Sequence, residues 1–178
     1  MRLQLSRAPS NEEKSSEMAN PAITISIQQC RLLTFRPAGV EARDNVRFEE
    51  MASKLGISST VCTDSLVDTA VLEALVSTLG PPKPNHPREI VLLCGAYLEE
   101  QISLATQYLL IIGYPIFLVR DVIVAKNSEL SHVHDHRLSQ AGAVATTSQQ
   151  LMYEWAASET DIVRKDLLNE FLIQAAPR

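Results

Sequence analysis

Three cysteines, a cluster of histidines and a pair of glutamates are the side chains in this chain that could do chemistry. Cys94 lies in the apolar run "REIVLLCG", one residue before Gly95. A displaced nucleophile there competes with a small buried hydrophobe. A strand interior offers no helix N-terminus to stabilise a thiolate, which favours the buried hydrophobe. Cys62 ends "ISSTVC" just before a helix start expected at Thr63 or Asp64. That is the better place for a reactive thiol, although no histidine is close in sequence and a structural thiol is the simpler reading. "HVHDH" supplies His132, His134, Asp135 and His136, residue types that suit zinc or iron. No second ligand group follows at matching spacing, so a polar loop with Asp135 near a helix start is expected, with no metal and no cofactor. Glu99 and Glu100 could be general bases; as residues just after Gly95 they also suit the positive end of a helix. Glu154 and Trp155 read as packing or interface residues. The six glycines form no phosphate-binding loop.

The elements that must position these residues alternate. "PAITISIQQCRLLTF", 21–35, reads as a strand broken by "RPAG". "EARDNVRFEEMASKLG" has apolar residues at helical spacing and a glycine stop. "ISSTVC" is a second strand and "TDSLVDTAVLEALVSTLG" a second helix, followed by the stiff connector "PPKPNHP". "REIVLLCG" is continuously apolar, as expected of a strand covered on both faces. "AYLEEQISLATQYLLIIG" reads as a helix and "YPIFLVRD" as a strand. "VIVAKNSELSHVHD" reads as a loop that either continues or ends that strand, "HRLSQAG" as a short helix, "AVATT" as a last strand, and the remainder as one or two helices. This alternation predicts a three-layer α/β/α domain with a mainly parallel sheet of about five strands. Residues 1–20 read as a polar, flexible arm, 21–157 as the domain and 158–178 as a helical extension. That extension carries Leu167, Leu168, Phe171, Leu172 and Ile173 near helical spacing, over charged Arg164, Lys165, Asp166 and Glu170.

Residues 89–157 resemble the isochorismatase-like cysteine hydrolases, the group that includes nicotinamidases and N-carbamoylsarcosine amidase. Gly95 matches the glycine closing the family's apolar strand, Gly113 and Tyr114 its Gly-aromatic pair, and Asp121 its closing aspartate. "RLSQAGAVATTSQQLMYEW" resembles the closing segment. The resemblance implies a cysteine at a helix N-terminus attacking an amide or similar carbon, helped by a lysine and an aspartate. Residue by residue, Gln101 stands at the cysteine position. With "ISIQQC" set against the family's first strand, Ser26 stands at the aspartate position and Gln28 at a neighbouring glutamine. "TVCTDSLVD" offers no lysine.

The resemblance therefore predicts a non-enzyme: a degenerate member serving as a structural or scaffolding subunit, with protein partners that include a homologous copy. The alternative is a cysteine hydrolase whose nucleophile has moved to Cys62 or Cys94, and a third reading is a metal protein using the histidines. A net charge of −5 argues against a nucleic-acid partner. Composition, 46% hydrophobic and 21% charged, is that of an ordinary globular domain. No apolar run is long enough to span a bilayer. Three cysteines beside apolar residues suit free thiols in a reducing compartment, with the cytoplasm the first expectation and an organelle the alternative.

Overall fold

In the structure, a computed structural model, residues 25–39, 43–63, 68–80 and 89–175 are described. The expected arm, Asp64 and the proline-rich connector lie outside them. The strands are β1 (Cys30–Phe35), β2 (Ser58–Cys62), β3 (Ile90–Ala96), β4 (Ile116–Val124) and β5 (Val144–Thr146). They form one sheet in the order β2-β1-β3-β4-β5, with every neighbouring pair parallel. The helices are α1 (Arg43–Lys54), α2 (Thr69–Leu79), α3 (Ser103–Ile112), α4 (Ser131–Gln140), α5 (Ser148–Ser158) and α6 (Ile162–Ala175).

β3 is buried at all seven positions, as its unbroken apolar sequence requires. Its side chains alternate between two cores. Leu92 and Cys94 join the face that holds Phe48, Met51, Leu151, Trp155 and Leu168, from α1, α5 and α6. Val91 and Leu93 join the face that holds Leu72 and Leu75 of α2, Leu109 of α3, and Ile102 just before α3. Leu92 pairs with Phe117 and Leu93 with Leu118, so the central strands are adjacent as the apolar runs predict. The terminal segment packs on its own domain: Leu168 is fully buried, and Leu167, Phe171 and Leu172 lie against the first core.

Four boundaries differ from the sequence reading. β1 begins only at Cys30; Ile27–Gln29 form a turn of 3-10 helix before it. α2 begins at Thr69 rather than near Thr63, because the carboxylate of Asp68 accepts the Val71 N–H at 2.9 Å and caps the helix there. The histidine segment is helical, with Leu138 of α4 buried under it. β4 runs past Asp121 to Val124. Between Leu93 and Gly95 β3 advances two residues while β4 advances five, from Leu118 to Ile123. This bulge puts Val119 and Val122 on one face and releases Arg120 and Asp121 from the core.

Candidate active site at the C-terminal edge of the sheet

In an open parallel α/β sheet, ligands bind beyond the carboxyl ends of the strands. Here that edge is made by Phe35 and Arg36 after β1, Cys62 ending β2, the Gly95–Gln101 turn after β3 and Lys126 after β4. Gly95 brings β1 and β3 together. Its φ is +102°, and a methyl group on it would lie 2.0 Å from the carbonyl oxygen of Phe35. Only glycine fits. The Ala96–Tyr97 peptide that follows is cis.

The chain then makes one wide turn of π-helix, Leu98–Ile102, before α3. Gln101 is 2% exposed, and its side-chain oxygen accepts the Tyr97 N–H at 2.8 Å. Position 101 thus holds a carboxamide that turns back on the turn's own backbone. Ser103 Oγ donates to Leu98 O at 2.7 Å and Thr106 Oγ1 to Ile102 O at 2.6 Å, fixing the start of α3.

Glu99 and Glu100 do more than complement a helix start. The Glu99 carboxylate accepts the N–H groups of Lys126 and Asn127, each at 2.9 Å, and so clamps the turn after β4. Burial pushes the Glu99 carboxyl up, but the Asn127 and Lys126 N–H groups outweigh it and hold the carboxyl below its usual range. Glu100 takes Lys126 Nζ at 2.5 Å, and that ammonium also lies 4.8 Å from the centre of the Tyr97 ring. The Glu100 hydrogen bond raises the Lys126 pKa. Sequence reasoning sought a lysine after the second strand and missed this one. Its signal was a lone lysine directly after an apolar strand, 26 residues from its partner.

The three cysteines occupy three different settings. Cys30 starts β1, and its thiol donates to Ser26 O at 3.3 Å. Burial, opposed weakly by the Trp155 indole, pushes it up to about 12. Cys94 is fully buried in β3 beside Thr34 Oγ1 at 3.2 Å, and burial likewise pushes its thiol up to about 12. Neither can supply a thiolate near neutral pH. Cys62 is 5% exposed at the C-terminal end of β2, in register with Phe35, which is in register with Gly95. Two strand spacings of about 4.8 Å place it roughly 10 Å from Gly95 along the same edge. The Arg36 N–H donates to Cys62 O at 2.8 Å, and the Arg36 guanidinium pairs with Glu49 of α1.

Ser26 is not brought to Gln101. It precedes the turn before β1, at the opposite edge of the sheet. Cys30 is level with Ile90, five residues before Gly95, which is about 17 Å along the strands. Nor do the histidines converge. His132 and His136 are exposed on α4, His134 is half-buried, and Asp135 pairs with Arg120 Nε at 2.7 Å. Among the described residues no group of three or more His, Cys, Asp or Glu is placed to hold a metal. Trp155 is fully buried in the first core, and Glu154 accepts from Gln150 Nε2 at 3.1 Å. Asp121, released by the bulge, accepts the Ser148 N–H at 2.8 Å and the Ser148 hydroxyl, tying β4 to the start of α5. No helix among the described residues is long and apolar enough to cross a membrane.

This architecture is the isochorismatase-like α/β fold. Similar solved structures include YcaC from Pseudomonas aeruginosa with hexane-2,5-diol and covalent acrylamide. It is 14% identical, with a TM-score of 0.64, over 86% of this chain and 97% of that one. The YcaC gene product from Escherichia coli, an octameric hydrolase of unknown specificity, is 14% identical with a TM-score of 0.60, over 86% and 93% of the two chains. The MAR1 ribonuclease from Caenorhabditis elegans is 16% identical with a TM-score of 0.59, over 83% and 92%. No protein-family model and no curated protein sequence matches the chain. The expectation of a non-enzyme is corrected by these neighbours: the proteins that share this fold at nearly full length are described as a hydrolase and a ribonuclease, and one carries a covalent adduct. That expectation rested on Gln101, on the lack of a lysine in "TVCTDSLVD", and on a first-strand alignment that set Ser26, which lies at the opposite edge of the sheet, at the aspartate position.

Proposed function

We propose that the chain is a cysteine hydrolase of the isochorismatase-like fold whose nucleophile is Cys62 in place of the residue at position 101. One observation carries the reading. Of the three cysteines, Cys62 alone stands at the C-terminal edge of the parallel sheet, where this architecture places its ligands. Cys30 lies at the opposite edge, and Cys94 is sealed inside β3. The substrate class is a small amide or related carbonyl compound. The Cys62 thiolate would form an S–C bond to the carbonyl carbon, and the carbonyl π pair would move onto oxygen. Collapse of that oxyanion breaks the C–N bond as the amine takes a proton. Water then hydrolyses the thioester, releasing acid and free thiol.

In this reading residues 21–157 form the hydrolase domain and 158–178 an extension that completes one core. Self-association belongs to it too. On the outer side of α3, Leu104 is 49% and Ile111 83% exposed, with Tyr108 half-buried between them. The octameric state of the E. coli neighbour supports such assembly.

The test is thiol modification followed by turnover. Acrylamide at neutral pH, read by peptide mass mapping of the folded protein, should label Cys62 and spare Cys30 and Cys94. Hydrolysis of a panel of small primary amides should be lost in Cys62→Ser and retained in Cys30→Ala. An unlabelled Cys62, or turnover that persists in Cys62→Ser, overturns the assignment.

A further inference from the structure

The strand bulge that releases Asp121 also opens a cavity of about 260 Å³ on the face of the sheet opposite Cys62. Its floor is apolar: Phe48 and Met51 of α1, Val122 of β4 and Met152 of α5 are each buried, and half-buried Phe171 of α6 closes one side. Its rim carries two exposed charges of opposite sign, Arg47 and Asp121. The size lies just under the roughly 300 Å³ at which drug-sized pockets begin, which fits a small metabolite.

We propose that this cavity binds a small zwitterion with an apolar side chain, of the type of an aliphatic α-amino acid. Charge and shape in the cavity are complementary to such a molecule. An ionised carboxylate has about four acceptor sites, and Ser148 takes two of those on Asp121 with its N–H and its hydroxyl. The others can receive an ammonium. The Arg47 guanidinium has five N–H donors, of which one is directed at Gln174 Oε1 of α6 at 3.3 Å, and its planar fork suits a carboxylate. A simple carboxylic acid would set its charge against Asp121, and a simple amine would set its charge against Arg47; a molecule with both groups answers both. An apolar side chain then covers the floor, where burial of each methylene is favourable. The site lies at the same edge as Cys62 but on the other face of the sheet, and it stands whether or not the hydrolase reading does.

Calorimetric titration of the full chain tests this with three ligands of one carbon skeleton: L-leucine, 4-methylpentanoate without the ammonium, and 3-methylbutylamine without the carboxylate. Leucine should bind saturably, and each truncated ligand should bind about tenfold more weakly or worse. Arg47→Gln, an exposed change that leaves the cavity floor intact, should erase the advantage of leucine over 3-methylbutylamine while keeping its advantage over 4-methylpentanoate. Absence of saturable leucine binding overturns the proposal. So does equal affinity for 4-methylpentanoate, which would make the cavity a site for apolar acids, or leucine binding unchanged in Arg47→Gln.

Discussion

Replacing Gly95 by alanine should open the sheet at the candidate site, and its cost can be worked from two glycines. Gly95 and Gly113 have almost the same backbone, with φ of +102° and +103°. A methyl group on Gly113 meets nothing within 4 Å, whereas on Gly95 it lies 2.0 Å from Phe35 O and 2.8 Å from Phe35 C and N. Gly113→Ala therefore carries only the left-handed backbone cost, about 1–2 kcal/mol. Gly95→Ala carries that and a clash with backbone, which cannot rotate away. β1 must retreat by about 1 Å for the contact to reach even the shortest tolerated separation. The retreat weakens one or two ladder hydrogen bonds, about 1 kcal/mol each, and loosens fully buried Phe35 by about 1 kcal/mol more. The total is about 3–5 kcal/mol, a large share of a typical domain stability of about 5–15 kcal/mol. At about 2–4 °C per kcal/mol for a chain of this length, Tm should fall by roughly 6–20 °C. Guanidinium unfolding of wild type and both variants, followed by far-ultraviolet circular dichroism, gives the difference directly. If Gly95→Ala and Gly113→Ala cost the same, the close approach of β1 and β3 at this edge is refuted.

Asp121→Ala should cost about 1–3 kcal/mol, because it strips the partner from both the Ser148 N–H and its hydroxyl. Asp121→Asn keeps an acceptor and should lose less in thermal unfolding; equal losses would show that the tie between β4 and α5 is not what stabilises. Alkaline destabilisation should also be visible, since Cys30 and Cys94 hold their protons up to about 12 when folded, against the ordinary thiol value of 9.0. Their stabilising effect is whole below pH 9 and is lost as pH rises from 9 through about 12, where the unfolded thiols ionise first. Urea midpoints that fall no faster over this interval in wild type than in Cys30→Ala would refute the burial of that thiol.

What was legible in the sequence is what burial alone dictates. The run 90–96 has no polar side chain, so it had to be a central strand, and the glycine at 113 had to end the following helix. These gave the sheet, its parallel sense and the position of the Gln101 turn. Illegible features were those decided by a distant partner. "VRD" looked like a strand end because Arg120 and Asp121 interrupt an apolar run. Asp135 and Ser148 receive those two charges, and pairing resumes at Ile123. "HVHDH" has weak helix propensity, yet it is helical because Leu138 is buried and Asp135 is held by Arg120. The Ile-Thr alternation near residue 25 mimicked a strand, and that one shift carried Ser26 to the wrong end of the sheet.

A substituted residue at one turn removes a nucleophile only if the site belongs to that turn, and a parallel sheet does not build its sites that way. Its C-terminal edge gathers the ends of several strands within one or two strand spacings of about 4.8 Å each, so a thiol ending β2 and a turn following β3 share a surface although 33 residues separate Cys62 from Gly95. The turn at Gln101 is held by its own backbone. The Gln101 carboxamide oxygen satisfies the Tyr97 N–H, so the turn keeps its shape without a thiol. The edge therefore stays ordered around a turn that Gln101 and Glu99 hold in shape, with a lysine held by Glu100 at one end and Cys62 at the other.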